Sequence, residues 1–185
     1  MEDTLRYGQL KIRTVFLFCL IIILRGTGLS FSLNENVDWP ALIKMIREEY
    51  PTVKQITTQQ LAELLSTADK EKPLLLDARE NAEYAVSHLQ NALHAATAEG
   101  AVEVLKYIEK DHNIVVYCSV GYRSSKLARR LQAMGYTNVW NLEGSIFKWA
   151  NEGRPLYKGG QLVHHAHPFN KEWGRFLDRR LWSDY

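Results

Sequence analysis

Cysteine is scarce in this chain: Cys19 and Cys118 are the two in 185 residues. They form no Cys-x-x-Cys pair, which excludes a paired-thiol redox motif and a cysteine-built zinc site. If the first thirty or so residues are removed as a targeting segment, Cys118 stands alone and no intramolecular disulfide can form. Net charge is equally sparse. Lys and Arg number 23 against 21 Asp and Glu, a formal balance of +2, too small to argue for nucleic acid or an acidic partner. There is no internal repeat and no low-complexity tract. The one long apolar run, from Val15 to Leu24, spans about ten residues, whereas a membrane-spanning helix needs about 20.

What is present divides the chain. Arg6, Lys11 and Arg13 precede the apolar run, Arg25 closes it, and Ser30-Phe31-Ser32 supplies small residues near a candidate cleavage point. Basic, then apolar, then small is the order of a signal peptide. Residues 1–32 therefore read as a signal peptide or membrane anchor, with possible membrane association through this segment and the remaining chain outside the cytoplasm. An uncleaved anchor would borrow Leu10 and Leu29 and bury Arg25. Residues 33–52 read as a helical extension, in which Pro40 sits early and Leu42, Ile43, Met45 and Ile46 make an apolar face. Residues 53–157 form the main domain, and 158–185 a C-terminal extension with a short helix.

The main domain is organised around Cys118-Ser119-Val120-Gly121-Tyr122-Arg123-Ser124. Ile114 to Tyr117 before it is apolar and β-branched, as a buried strand requires. After it, Ser124 or Ser125 is placed to cap a helix with Leu127, Leu131 and Met134 on one face, stopped by Gly135. A loop between a strand and a helix N-terminus turns successive backbone N–H groups inward, and the helix dipole adds partial positive charge. A thiol held there loses its proton more readily than a free one. Gly121 gives the turn its freedom, and Arg123 adds a cation able to fork an oxyanion. The loop reads as a nucleophile facing an anion.

Strands predicted at Val53–Ile56, Leu74–Asp77, Ala92–His94, Ile114–Tyr117 and Val139–Leu142 alternate with helices, including one over residues 101–109. That alternation predicts an α/β fold: a central, mainly parallel five-stranded sheet with helices on both faces. The Cys118 loop then lies beyond the carboxyl end of its strand, where such sheets place ligands. Asp77 beside Arg79 reads as a structural ion pair, His88 as a hydrogen-bonded structural imidazole, and Trp140 and Trp149 as core. In the tail, Gly159-Gly160 is a turn or hinge, and Asn170 caps a helix carrying Trp173, Phe176, Leu177 and Leu181. His164-His165-Ala166-His167 has no Cys, Asp or Glu close by in sequence, so it reads as a solvated loop and no metal is expected.

Cys-x-x-Gly-x-Arg-Ser between a strand and a helix resembles the active-site loop of single-domain rhodaneses, the thiosulfate-type sulfurtransferases. Leu75-Leu76-Asp77-Ala78-Arg79-Glu80, Glu83-Tyr84-Ala85-Val86-Ser87-His88-Leu89, Asn141-Leu142-Glu143-Gly144-Ser145 and Trp149 through Pro155 are similar to further family segments, in the family's order. The resemblance covers roughly residues 53 to 157 and implies a rhodanese-like domain there. It further implies that Cys118 is catalytic and that Ser119, Val120, Gly121, Tyr122, Arg123 and Ser124 bind the substrate. It implies a small anionic sulfur donor, a thiol or cyanide acceptor, a Cys118 persulfide, and no cofactor. Ser145 stands where the family usually has a second Gly, and Asn91 where it has Pro or Gly; both read as changes to turns rather than chemistry. Ser119 and Val120 bring no further cation, unlike the loop of thiosulfate-specialised relatives. Two other classes compete: a rhodanese-like carrier or protein-binding module without turnover, and a phosphatase or arsenate reductase on a related loop. The last use one more residue between Cys and Arg than the four found here.

Overall fold

The computed structural model describes residues 38–67 and 71–184; the segment read as signal peptide or anchor lies outside them. Helix α1 (Trp39–Glu49) is capped by Asp38, whose carboxylate accepts from Ala41 N–H, with Pro40 at the start of the helix. Strand β1 (Lys54–Ile56) leads into α2 (Thr58–Ser66), opened by a reciprocal capping box between Thr57 and Gln60. The order continues with β2 (Leu74–Asp77), α3 (Asn81–Val86), β3 (Leu93–His94), α4 (Ala98–Val104), β4 (Ile114–Tyr117), α5 (Tyr122–Ala133), β5 (Val139–Leu142) and α6 (Ser145–Asn151). Five strands form one sheet in the order β1-β5-β4-β2-β3, with every pairing parallel. Among the described residues no helix is long and apolar enough to cross a membrane.

The central strand explains its own place. All four residues of β4 are buried, as a strand flanked on both edges and both faces demands. Burying each such side chain contributes roughly 1.5–3 kcal/mol. Its neighbours leave in opposite directions. From β2 the chain crosses to β3, while from β4 it crosses the other way to β5. The loops after β2 and β4 therefore diverge and leave a crevice outside the carboxyl ends of these two strands. Residues 78–80 and 118–121 border it.

Within the main domain, three local expectations differ from what is found. The helix after the loop begins at Tyr122, with Gly121 as its N-cap at φ 113°, so Ser124 and Ser125 lie inside the first turn and are fully buried. Only glycine tolerates that φ comfortably, and a Cβ at Gly121 would sit 3.3 Å from Asn141 Nδ2. Helix α4 begins earlier and ends earlier than expected, because Thr97 caps it by accepting from Gly100 N–H. Trp140 is only half-buried, lying under the Lys54 ammonium at the β1 edge, while Trp149 is core.

The tail packs on the domain. Strands β6 (Leu156–Lys158) and β7 (Gln161–Val163) form an antiparallel hairpin turned by Gly159 and Gly160, both at positive φ. The hairpin is tied to the residues after α3, since His88 and Tyr157 exchange backbone hydrogen bonds of 2.8 and 2.9 Å. The expected final helix is broken into α7 (Lys171–Gly174) and a 3₁₀ turn (Arg179–Leu181). Asn170 does cap α7, accepting from Trp173 N–H.

Candidate active site

Cys118 follows β4 directly and is 1% exposed. Its Sγ accepts from Gly121 N–H at 3.2 Å, the inward-turned amide that the left-handed Gly121 allows. Ser124 Oγ lies 3.4 Å from the sulfur and donates its single proton to Asn141 Oδ1 at 2.6 Å. While the hydroxyl is turned toward Asn141, a protonated thiol can donate across the 3.4 Å contact; on ionisation the hydroxyl is positioned to turn toward sulfur. Asn141 is held in turn, donating to Gln55 Oε1 at 2.7 Å. The sulfur thus rests on a chain of polar groups running back into β5 and β1.

Burial pushes the Cys118 thiol up. The Arg123 charge, with hydrogen bonds from Ser124 and from Gly121 N–H, more than offsets it and holds the thiol below its ordinary range. One expectation follows. The rate of Cys118 alkylation by iodoacetamide should rise with pH through a midpoint below the roughly 8.5 of a free cysteine. In Arg123→Ala that midpoint should move upward, because burial stays while the opposing charge goes. A midpoint unaffected by removing Arg123 would refute the electrostatic account.

Arg123 does more than face the sulfur. Its Nη1 donates to Glu83 Oε2 at 2.7 Å and its Nη2 to Oε1 at 2.8 Å, a two-pronged pair. Nη2 also donates to Ser119 Oγ, and that hydroxyl donates to Glu83 Oε1, each at 2.8 Å. Glu83 is buried, and although burial pushes its carboxyl up, Arg123, Glu80 N–H and Ser119 bring it below the usual range. The local sequence puts Glu83 there: it is the third residue of α3 and accepts from Glu80 N–H at 3.0 Å, closing a capping box. The fork of Arg123, read from sequence as free to grip an oxyanion, is turned onto a carboxylate of this chain.

Behind Glu83 lies a fully buried pair. Arg79 Nε and Nη2 meet the Asp77 carboxylate, at 2.6 Å for the shortest contact, and both side chains are 0% exposed. Arg79 Nη2 also donates to Ser87 O at the end of α3, and His94 Nε2 lies 2.7 Å from Arg79 O. The pair fastens both ends of the α3 segment to β2, as the structural reading of Asp77 and Arg79 requires. His88 is structural as well, stacking on Tyr84 with ring centroids 4.4 Å apart and Nδ1 set against Leu89 O.

Of the residues assigned to the loop, the structure brings the side chains of Cys118, Ser119, Arg123 and Ser124 together with the Gly121 amide. Val120 enters the core, and the Tyr122 ring packs edge-on against Tyr50 at 5.4 Å. These two contribute backbone to the loop. Ser145 was read as a turn change only. It sits in the left-handed region at φ 50°, which explains a glycine preference, but its hydroxyl accepts from Cys118 N–H at 3.1 Å and donates to Leu142 O at 2.9 Å. It therefore braces the backbone of Cys118. Glu83 and Asn141 were missed as site residues; both lie in segments matched by resemblance, but no local pattern ties them to Cys118. Among the described residues no group of three His, Cys, Asp or Glu could hold a metal ion.

A buried cysteine in a strand–loop–helix turn, at the crevice of a five-stranded parallel sheet, defines a class of α/β domain. The Rhodanese-like domain profile matches residues 57–152, more than half of the chain, and the chain belongs to that family. Its fold is the α/β rhodanese fold. The tRNA uridine(34) hydroxylase of Escherichia coli is 33% identical over 100 residues, covering 51% of this chain and 29% of that protein. The match thus spans less than a third of the length of such curated relatives. Thiosulfate sulfurtransferase from Pseudomonas aeruginosa superposes with a TM-score of 0.55 at 20% identity, over 75% of this chain and 26% of that one. The Alr3790 protein from Anabaena gives a TM-score of 0.51 at 23% identity, over 56% and 80%. At these identities the two structures speak to fold alone.

Proposed function

We propose that this protein is a rhodanese-type sulfurtransferase that moves sulfane sulfur from a thiosulfate-like donor to a thiol or cyanide through a persulfide on Cys118. The observation that carries the reading is the sulfur itself. Sγ lies under the Gly121 amide and beside Ser124, with Arg123 near enough to hold the thiol below its ordinary range.

In the first half-reaction the Cys118 thiolate attacks the outer sulfur of the donor. A new S–S bond forms to Sγ, the donor's own S–S bond breaks, and sulfite departs with the electron pair. The resulting terminal sulfur carries negative charge, which the Gly121 N–H and the Ser124 hydroxyl are placed to receive. In the second, the acceptor attacks that outer sulfur, the Sγ–S bond breaks, and the thiolate returns. Glu83 and Ser119 keep Arg123 fixed beside the loop throughout. Its charge acts at short range, and its fork does not have to leave Glu83.

A second reading has a specific observation in its favour. The thiol is 1% exposed and the Arg123 fork is occupied, as suits a rhodanese-like carrier or binding module without turnover. Intact mass separates the two. Treatment with thiosulfate should add one sulfur atom, and subsequent cyanide should remove it with thiocyanate released. A sulfur gained but not turned over by cyanide or a thiol would decide for the carrier, and a mass that never changes with any donor, although Cys118 remains alkylatable, for the binding module.

A further inference from the structure

The segment after β7 lies beyond the residues matched by the family profile, yet it reaches the site. Ala166 is fully buried and paired: its N–H donates to Leu181 O at 2.8 Å, and its carbonyl accepts from Ser183 N–H at 3.0 Å. Pro168 is buried, and Gly174 is packed so closely that a Cβ there would fall 2.5 Å from Trp182 and 2.9 Å from Pro168. Asn151 of α6 clamps the far end, donating to Phe176 O and accepting from Asp178 N–H, both at 2.8 Å. Residues 167–169 are therefore held at both ends. His167 lies within electrostatic reach of Glu83 and Arg79. The Phe169 ring is seated on the Arg123 guanidinium, 4.7 Å from Cζ to the ring centroid.

Phe169 does not reach this position by an easy backbone path. Its φ is 66°, a region bulky side chains rarely adopt, and the residue remains 37% exposed. The turn is held locally, with Phe169 N–H donating to His167 Nδ1 at 2.9 Å and Asn170 N–H to Pro168 O at 2.8 Å. It sets the ring over the face of Arg123, whose edge is taken by Glu83 and Ser119. The cation beside Cys118 is thus closed in its plane by a carboxylate and over one face by an aromatic ring.

We propose that Phe169 is a specificity-determining wall of the Cys118 site, admitting small sulfur donors and acceptors and excluding those with a bulky substituent. The kind of molecule admitted rests on the sulfur-transfer reading; the wall itself rests on the ring's place over the cation beside Cys118. The informative variant is Phe169→Gly, which removes the ring and also relieves the positive φ, so the fold should not suffer.

In the full-length protein, Cys118 alkylation by iodoacetamide is compared with that by iodoacetanilide, the same chemistry carrying a phenyl ring. The ratio of the bulky to the small reagent should rise about tenfold in Phe169→Gly and return to the wild-type value in Phe169→Tyr. For turnover, kcat/KM for benzenethiosulfonate relative to thiosulfate should shift by a similar factor in the same direction. An unchanged alkylation ratio in a Phe169→Gly protein with a wild-type melting temperature overturns the wall. Absence of turnover with either donor, alongside the shifted alkylation ratio, overturns the transferase reading and leaves the wall standing. If Phe169→Gly melts early, Phe169→Ala is read in its place against the same two ratios.

Discussion

Replacing Cys118 with Ser should abolish sulfur transfer while the domain stays folded. A hydroxyl occupies nearly the volume of a thiol, and at 1% exposure the side chain is bounded by the same neighbours in either case. The Gly121 N–H keeps an acceptor to meet, and the new hydroxyl can donate to Ser124 Oγ as the thiol does, so melting should shift little. The chemistry does not survive. An alcohol is not ionised near neutral pH, and oxygen cannot carry the transferred sulfur as a persulfide. Activity should fall at least about a thousandfold, to the blank rate, in a thiosulfate–cyanide assay. The sulfur adduct should vanish from the intact mass at the same time. Retained transfer in Cys118→Ser would show that the loop is not the site.

The second large effect is on stability. Asp77→Ala should leave the Arg79 guanidinium buried at 0% exposure with its carboxylate partner gone, the case in which breaking an ion pair costs most. About 3–5 kcal/mol is expected, and a domain of this size should melt roughly 10 °C lower or more. The damage should reach the site. Arg79 ties Ser87 O at the end of α3, and α3 carries Glu83, which holds Arg123. Cys118 alkylation should therefore lose part of its low-pH reactivity in whatever folded protein remains. A thermal melt matching wild type would mean that the pair contributes nothing net and that α3 is held by its capping box and packing alone.

These two results would separate roles that lie close together in space, on neighbouring strands. Asp77 ends β2 and Cys118 follows β4 at the same end of the sheet, and Asp77 pairs in register with Tyr117, the residue before Cys118. One carboxylate is consumed by an arginine two residues away, whereas the thiol is left facing amides. Burial is common to both; the partners differ, and the partners decide which group is structural and which is reactive.

Much of this was legible in the chain alone. Short β-branched runs separated by capped amphipathic helices determine an α/β domain with a parallel sheet, because period-two and period-3.6 patterns bury their apolar faces in only a few ways. Cys118, Gly121 and Arg123 were legible as a unit, since a strand, a tight turn and a helix start depend on residues adjacent in sequence. Only the tertiary structure decided what meets Arg123. Glu83 lies 40 residues away and approaches it because the chain turns oppositely after β2 and β4. Asn141 reaches Ser124 from another strand, and Phe169 arrives from a segment outside the family match. Hydrogen bonds and cation–aromatic contacts between distant residues leave no periodicity in a sequence. They depend on where the sheet sets each loop, and that placement is a property of the packed domain.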